Sequence, residues 1–117
     1  MATTAPITVI LRLRPHPDGM DILRSDCAEV AKLIEGEPGG LGCAYSFGED
    51  LLISREDFAD GDALLAHLAG AQRFAERTLS AADIESLEIC GPEAELDKVR
   101  EPLGAFSARF FVTEYAA

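Results

Sequence analysis

The order of elements in this sequence predicts an α+β fold of the ferredoxin-like βαββαβ type: an antiparallel sheet with helices on one face. Three observations support it. Alternating apolar and polar residues mark strands, apolar residues at three- and four-residue steps mark helices, and a short acidic turn joins the two middle strands. A further helix and strand are expected after this unit, as a C-terminal extension.

The first half of the chain predicts a strand, a helix and a hairpin. Residues 7–14 alternate branched and polar side chains, as in a strand. From Met20 to Ile34 the apolar side chains recur on one helix face, and the glycine-rich segment 36–40 then ends the helix. Residues 41–47 and 51–58 indicate two antiparallel strands around the turn at residues 48–50.

The second half predicts a helix, a strand and the extension. Asp60 or Asp62 can cap the helix, whose apolar stripe is formed by Leu64, Leu68, Ala71 and Ala75. Residues 80–83 indicate a turn or helix end, and residues 83–90 a fourth strand. Pro92 suits the first turn of a third helix, residues 92–100, which Pro102 and Gly104 are expected to end. Residues 106–115 indicate a last strand or an ordered extension.

Length and charge limit the classes of function. With 117 residues we expect a single domain, 1–117, in which 91–117 is the extension. The net charge of −11 disfavours binding to nucleic acid or anionic membranes. The sequence has no apolar run of about 18 residues that could span a bilayer, and its N-terminus lacks signal-peptide features. We therefore expect a cytoplasmic protein.

The cysteines and histidines predict neither a disulfide framework nor a metal site. Cys27, Cys43 and Cys90 are odd in number, widely separated and set in apolar segments, so reduced, buried thiols are expected rather than redox or nucleophilic groups. His16 lies between two prolines in a turn. It stands far from His67 in the sequence, and the pair has no recognisable metal-ligand spacing.

One face of the predicted sheet has no helix to cover it. Tyr45, Phe47, Leu51 and Ile53 are expected to leave an apolar face exposed in a monomer, and large exposed apolar patches usually mark interfaces. We therefore predict a homodimer whose two sheets pack face to face, with residues 106–112 reaching towards the partner.

The strand Thr8-Val-Ile-Leu-Arg-Leu-Arg14, the hairpin, and the segment Glu56-Asp-Phe-Ala-Asp-Gly-Asp-Ala-Leu-Leu-Ala-His67-Leu-Ala together resemble the antibiotic biosynthesis monooxygenase family. The resemblance covers roughly residues 7–90. It implies a dimeric α+β barrel with a pocket between sheet and helices. Some relatives oxidise polyphenols or quinols there with oxygen and neither metal nor flavin, whereas others open the haem ring. This chain has no tryptophan, which haem-degrading relatives hold at or near the position of His67, so haem degradation is not expected.

Two residues are candidates for catalysis. His67 borders the apolar stripe of its helix, and a neutral imidazole there could accept a phenolic proton. Arg12 falls opposite in parity to Val9, Leu11 and Leu13, at a position that is polar in relatives, where a cation could hold an anionic substrate. The alternatives are a histidine that bonds a carbonyl or meets solvent, and an arginine that pairs with an acidic residue or faces solvent.

Five further residues are candidates for binding a substrate. Tyr45 and Ser46 could each supply a hydroxyl, one from each face of their strand, and Glu56 could line the pocket or form an ion pair. Phe58 and Phe74 could be pocket wall or ordinary core. The resulting hypothesis is a cofactor-independent monooxygenase-like enzyme that acts on a small aromatic or quinol substrate. The alternatives are a non-catalytic homodimer of the same fold that binds a small ligand, or an accessory protein whose function lies in its dimer surface.

Overall fold

A computed structural model describes residues 5–117 of the chain. It contains five strands and four helices in these residues. Their bounds are β1 Ile7–Pro15, α1 Met20–Gly36, β2 Gly40–Phe47, β3 Leu52–Phe58, α2 Gly61–Gly70, α3 Gln72–Ala81, β4 Ala82–Gly91, α4 Glu93–Gly104 and β5 Arg109–Val112.

The strands form one mixed sheet in the order β2-β3-β1-β4-β5. The first four are antiparallel to their neighbours, as in the ferredoxin-like arrangement, so the predicted fold is confirmed. β5 pairs with β4 in parallel at the edge of the sheet, after a crossover through α4. The predicted extension is therefore part of the sheet, although its strand is limited to Arg109–Val112.

All four helices cover the same face of the sheet. On that face Ile7, Val9 and Leu13 of β1 are buried, because alternate residues of a strand point to the same side. The helices contribute buried apolar residues against them, namely Leu23, Ile34, Leu64, Phe74, Leu96, Val99 and Leu103. None of the helices in residues 5–117 is long and apolar enough to cross a membrane.

The apolar stripe that predicted one second helix belongs to two. α2 ends at Gly70 and α3 begins at Gln72, with Ala71 leaving helical geometry between them. Of the two proposed caps it is Asp60 that caps α2, since its Oδ1 accepts a hydrogen bond from the amide of Ala63 at 2.8 Å.

The expected end of the third helix is also corrected. α4 continues through Pro102 to Gly104. Its last turn places Leu103 in the core with 5% exposure. Burial of this side chain favours keeping the turn helical, although a proline inside a helix removes one backbone hydrogen bond.

The open face of the sheet differs from the one predicted. Tyr45 pairs with Ser54 and Phe47 with Leu52. Because Ser54 and Leu52 are buried, all four side chains lie beneath the helices, and the assignment of Tyr45 and Phe47 to the open face was wrong. Ile53 does lie on the open face, with 38% exposure. The homodimer remains a prediction.

Candidate functional site

His67 is enclosed between the helices and the sheet. It lies on α2, and only 4% of its side chain is exposed. Its ring packs on that of Phe58, with 4.8 Å between the centroids. Neither alternative considered from the sequence describes it, because the ring is shielded from solvent and, within residues 5–117, bonds no carbonyl. Its two nitrogens instead face two carboxylates.

Glu37 is the partner of the first ring nitrogen. Its Oε1 and Oε2 lie 2.8 and 3.1 Å from Nδ1 of His67. A carboxylate can only accept a hydrogen bond, so Nδ1 carries a proton and donates a hydrogen bond to Glu37. This arrangement fixes the orientation of the ring and leaves Nε2 as the atom that can exchange a proton with another group.

The turn between α1 and β2 brings Glu37 to this position. A Cβ atom on Gly39 would overlap the Cβ of Ala63 on α2, so glycine allows the turn to lie directly on that helix. The amide of Ala59 donates to the carbonyl of Gly39 at 2.9 Å and holds the turn. Sequence reasoning missed Glu37, because an acidic residue in a glycine-rich turn has no pattern that sets it apart.

Glu56 and Tyr45 lie on the other side of the ring. Oε1 of Glu56 is 3.6 Å from Nε2 of His67, and Oε2 accepts a hydrogen bond from the Tyr45 hydroxyl at 2.6 Å. Burial, followed by the nearby Glu56 carboxylate, raises the pKa of Tyr45 well above its ordinary value, so the hydroxyl keeps its proton. Glu37, His67, Glu56 and Tyr45 are called the His67 cluster below.

A cavity of about 200 Å³ opens beside this cluster, between sheet and helices, where the resemblance implied a pocket. His67, Glu56 and Thr78 are the polar side chains on its wall, together with the following apolar residues: Val9, Leu11, Leu13, Val30, Leu64, Leu68, Ala71, Phe74, Ala75, Leu79, Ile84, Leu87, Leu103 and Phe106. A ligand held here would contact mainly apolar side chains and would meet His67 as one of few polar groups.

A second cavity, of about 80 Å³, shares Glu56 and Thr78 with the first and is also lined by Asp26, Tyr45 and Ser54. Asp26 is 2% exposed. Its Oδ2 accepts a hydrogen bond from Thr78 at 3.4 Å, whereas its buried Oδ1 has no hydrogen-bond donor among the described residues. Arg77 places Nε 3.3 Å from Oδ1 as an ion pair, but without hydrogen-bond geometry.

Arg12 and Ser46 are not brought to His67. Arg12 lies on the open face, where it forms an ion pair with Glu88 at 2.6 Å and contacts Ser86 at 3.4 Å. Ser46 pairs with Ile53 and points to that same face. The structure therefore places Glu56, His67 and Phe74 on the wall of the 200 Å³ cavity, with Phe58 packed behind the His67 ring. Tyr45 lines the 80 Å³ cavity, and Arg12 and Ser46 are separated from both.

The thiols lie in environments that disfavour the thiolate. Burial raises the pKa of Cys27 to about 12, with further contributions from Glu56 and Asp26. Burial also raises the pKa values of Cys43 and Cys90. No group of three His, Cys, Asp or Glu side chains within residues 5–117 is arranged to hold a metal ion.

Comparison with solved structures identifies the fold. MupZ from Pseudomonas fluorescens is 26% identical and superposes with a TM-score of 0.92, covering 100% of this chain and 91% of that one. SnoaB from Streptomyces nogalater, a cofactor-independent oxygenase, is 19% identical with a TM-score of 0.62, over 71% of this chain and 90% of its own. A Chloroflexus aurantiacus protein provisionally assigned as an antibiotic biosynthesis monooxygenase is 16% identical with a TM-score of 0.62, over 73% of this chain and 90% of its own.

This chain has the antibiotic biosynthesis monooxygenase-like fold. No protein-family model and no curated protein sequence matches it. The resemblance seen in the sequence is thus confirmed by structure. The monooxygenase-like fold places the cavity between sheet and helices, but it hosts more than one activity, so the chemistry has to be argued from the His67 cluster.

Proposed function

We propose that this chain is an enzyme in which His67 moves a proton to and from a small aromatic substrate bound in the 200 Å³ cavity. The observation that carries the proposal is a buried histidine held between two carboxylates at the wall of an apolar cavity. The reaction we assign is cofactor-independent oxidation by molecular oxygen. It is supported by the monooxygenase-like fold, which SnoaB shares.

The first step is the removal of a phenolic proton. Nδ1 of His67 is bonded to Glu37, so Nε2 is the atom that accepts. The Glu37 carboxylate then stabilises the positive charge that forms on the ring, and such general base catalysis contributes about 10²–10⁴-fold to a rate. In an apolar cavity the resulting phenolate is poorly solvated and electron-rich, which favours electron transfer to oxygen.

The oxidation can be balanced on one phenol and one O₂. The phenolate passes electrons to O₂, and a C–O bond forms at the ring carbon opposite the oxygen. Glu56 removes the hydrogen of that carbon as a proton while the O–O bond breaks, which leaves a quinone carbonyl. The departing oxygen takes this proton and the one held by His67 and leaves as water. The ring loses four electrons and O₂ gains four.

The size of the cavity limits the substrate. A cavity of roughly 150 Å³ binds benzene, so about 200 Å³ holds one ring with short substituents. We therefore expect single-ring phenols and quinols to fit the cavity.

Oxygen uptake with a panel of single-ring phenols and quinols tests the proposal. His67→Ala should lower the rate about a hundredfold or more. His16→Ala, which changes an exposed histidine that does not line the cavity, should leave the rate unchanged. Equal uptake by wild type and His67→Ala would remove His67 from the mechanism, and no uptake by the wild type would overturn the oxidation.

A non-catalytic ligand-binding protein is the second candidate. It is favoured by the lining of the cavity, since no Arg or Lys is among the described residues of its wall to hold a phenolate, and Arg12 pairs with Glu88 on the other face. Binding of phenols without oxygen uptake would support this function. Both candidate functions predict a homodimer. Light scattering tests this by measuring the molar mass of the protein in solution.

A further inference from the structure

We propose that Asp26 binds a hydroxyl group of the ligand, in the 80 Å³ cavity that adjoins the larger one at Glu56 and Thr78. This inference rests on the proposed function, because it assumes that the ligand binds in the 200 Å³ cavity beside His67. It defines the ligand class as a small aromatic ring with two hydroxyl groups, one near His67 and one at Asp26.

Asp26 holds a buried acceptor atom that receives no hydrogen bond from the described residues. Asp26 lies on α1 with 2% exposure, and its Oδ1 has no hydrogen-bond donor within the described chain. A buried polar atom without a hydrogen-bond partner costs about 1–3 kcal/mol, so such an atom is usually completed by a water molecule, an ion or a ligand. Arg77 balances the charge as an ion pair, with Nε 3.3 Å from Oδ1, but it supplies no hydrogen bond and its own side chain is 57% exposed.

The surroundings of Asp26 determine what it can bind. A carboxylate oxygen accepts hydrogen bonds, so the ligand group that binds Oδ1 must be a hydrogen-bond donor. Apart from Glu56 and Thr78, the residues that line both cavities are apolar, namely Leu11, Leu13 and Val30. A neutral hydroxyl on an apolar ring satisfies both conditions. A second anionic group would be repelled by Asp26 and Glu56.

Binding to pairs of probes tests the inference without any turnover. Catechol, resorcinol and hydroquinone each carry two hydroxyls, and in the monomethyl ether of each one hydroxyl can no longer donate. A hydrogen bond to a charged group changes affinity by roughly tenfold or more. We expect at least one diol to bind wild type about tenfold more tightly than its ether, by calorimetry under nitrogen.

Asp26→Leu keeps the branched shape of the side chain and removes the acceptor, so the preference for the diol should vanish while the ether binds as before. Asp26→Asn retains an accepting oxygen and should keep part of the preference. Asp21→Leu, on the same helix with a 97% exposed side chain, is the matched control and should behave as wild type.

The inference is overturned if the wild type prefers no diol over its ether, or if the preference survives in Asp26→Leu. The first measurement needs no variant, so it decides even if Asp26→Leu fails to fold. Equal loss of diol and ether binding in a folded Asp26→Leu would make Asp26 a structural residue and also overturn it. Oxygen uptake is measured in a separate experiment. The binding comparison can therefore be interpreted even if the protein does not oxidise the diols.

Discussion

The Nδ1 atom of His67 donates a hydrogen bond to the carboxylate of Glu37 at 2.8 Å, although the two residues belong to different elements and are separated by the hairpin in sequence. This bond sets which ring nitrogen carries a proton and turns Nε2 towards Glu56. His67 is buried and Glu37 is half-buried, with 4% and 19% side-chain exposure. The role of His67 in the proposed reaction therefore depends on Glu37.

Glu37→Gln should impair catalysis without greatly weakening binding. The amide can still accept from Nδ1, but it lacks the negative charge that stabilises a protonated ring, so kcat for oxygen uptake should fall about a hundredfold with little change in KM. Glu35→Gln, at an exposed position in the last turn of α1, is the control. The Nδ1 proton should also give a slowly exchanging, downfield NMR signal in the wild type, which Glu37→Ala would abolish. If that signal persisted, Glu37 would not be its acceptor.

Gly39→Ala should destabilise the protein, because the added Cβ overlaps the Cβ of Ala63. Overpacking of this kind costs about 1–3 kcal/mol, measured as the free energy of unfolding in urea. Combining it with Ala63→Gly should recover part of the loss, as a positive coupling in a double-mutant cycle. Gly36→Ala has no atom within 4 Å of the new Cβ and should be neutral or stabilising. If the effects of Gly39→Ala and Ala63→Gly were simply additive, the close contact between these two positions would be contradicted.

Tyr45→Phe should lower the free energy of unfolding by about 1–2 kcal/mol, since it removes the hydroxyl that donates to the buried carboxylate of Glu56. Tyr115→Phe offers a matched control, because Tyr115 is 92% exposed and its hydroxyl should contribute nothing measurable. Urea titration of both variants compares them directly. A stability loss as large in Tyr115→Phe as in Tyr45→Phe would argue against the buried bond.

His16 should make stability depend on pH near neutrality. Its Nε2 lies 2.9 Å from Oδ1 of Asp83, and this hydrogen bond raises the pKa of His16 above the ordinary value of 6.5. When a histidine has a higher pKa in the folded than in the unfolded protein, its full contribution to stability is present at a pH below the unfolded-state pKa. This contribution is lost as the pH rises through the pKa in the folded protein. The difference in Tm between wild type and Asp83→Asn should therefore shrink between about pH 6 and pH 8. A difference that stays constant over that range, or a His16 NMR titration unchanged in Asp83→Asn, would show that the pair does not act in solution.

The sequence contained a sign of Asp26 that periodicity alone could have found. Asp26 follows Leu23 by three residues and precedes Val30 by four, so it falls on the apolar face of α1. A polar residue at a core position is unfavourable unless it serves a purpose. Glu37 had no such sign, because a turn residue reaches its neighbours through the path of the backbone rather than through a repeat.

The sequence by itself determined the order of strands and helices, the hairpin and the ferredoxin-like arrangement, because periodicity and turn residues are local properties. The tertiary structure alone decided which face of each strand the helices cover. Alternation shows which side chains share a face of a strand, but it does not show which face the helices cover. The sequence therefore could not show that Tyr45 lies beneath the helices and Arg12 on the open face. It also decided that Glu37, His67 and Glu56 meet, since contacts between distant residues depend on how the elements pack.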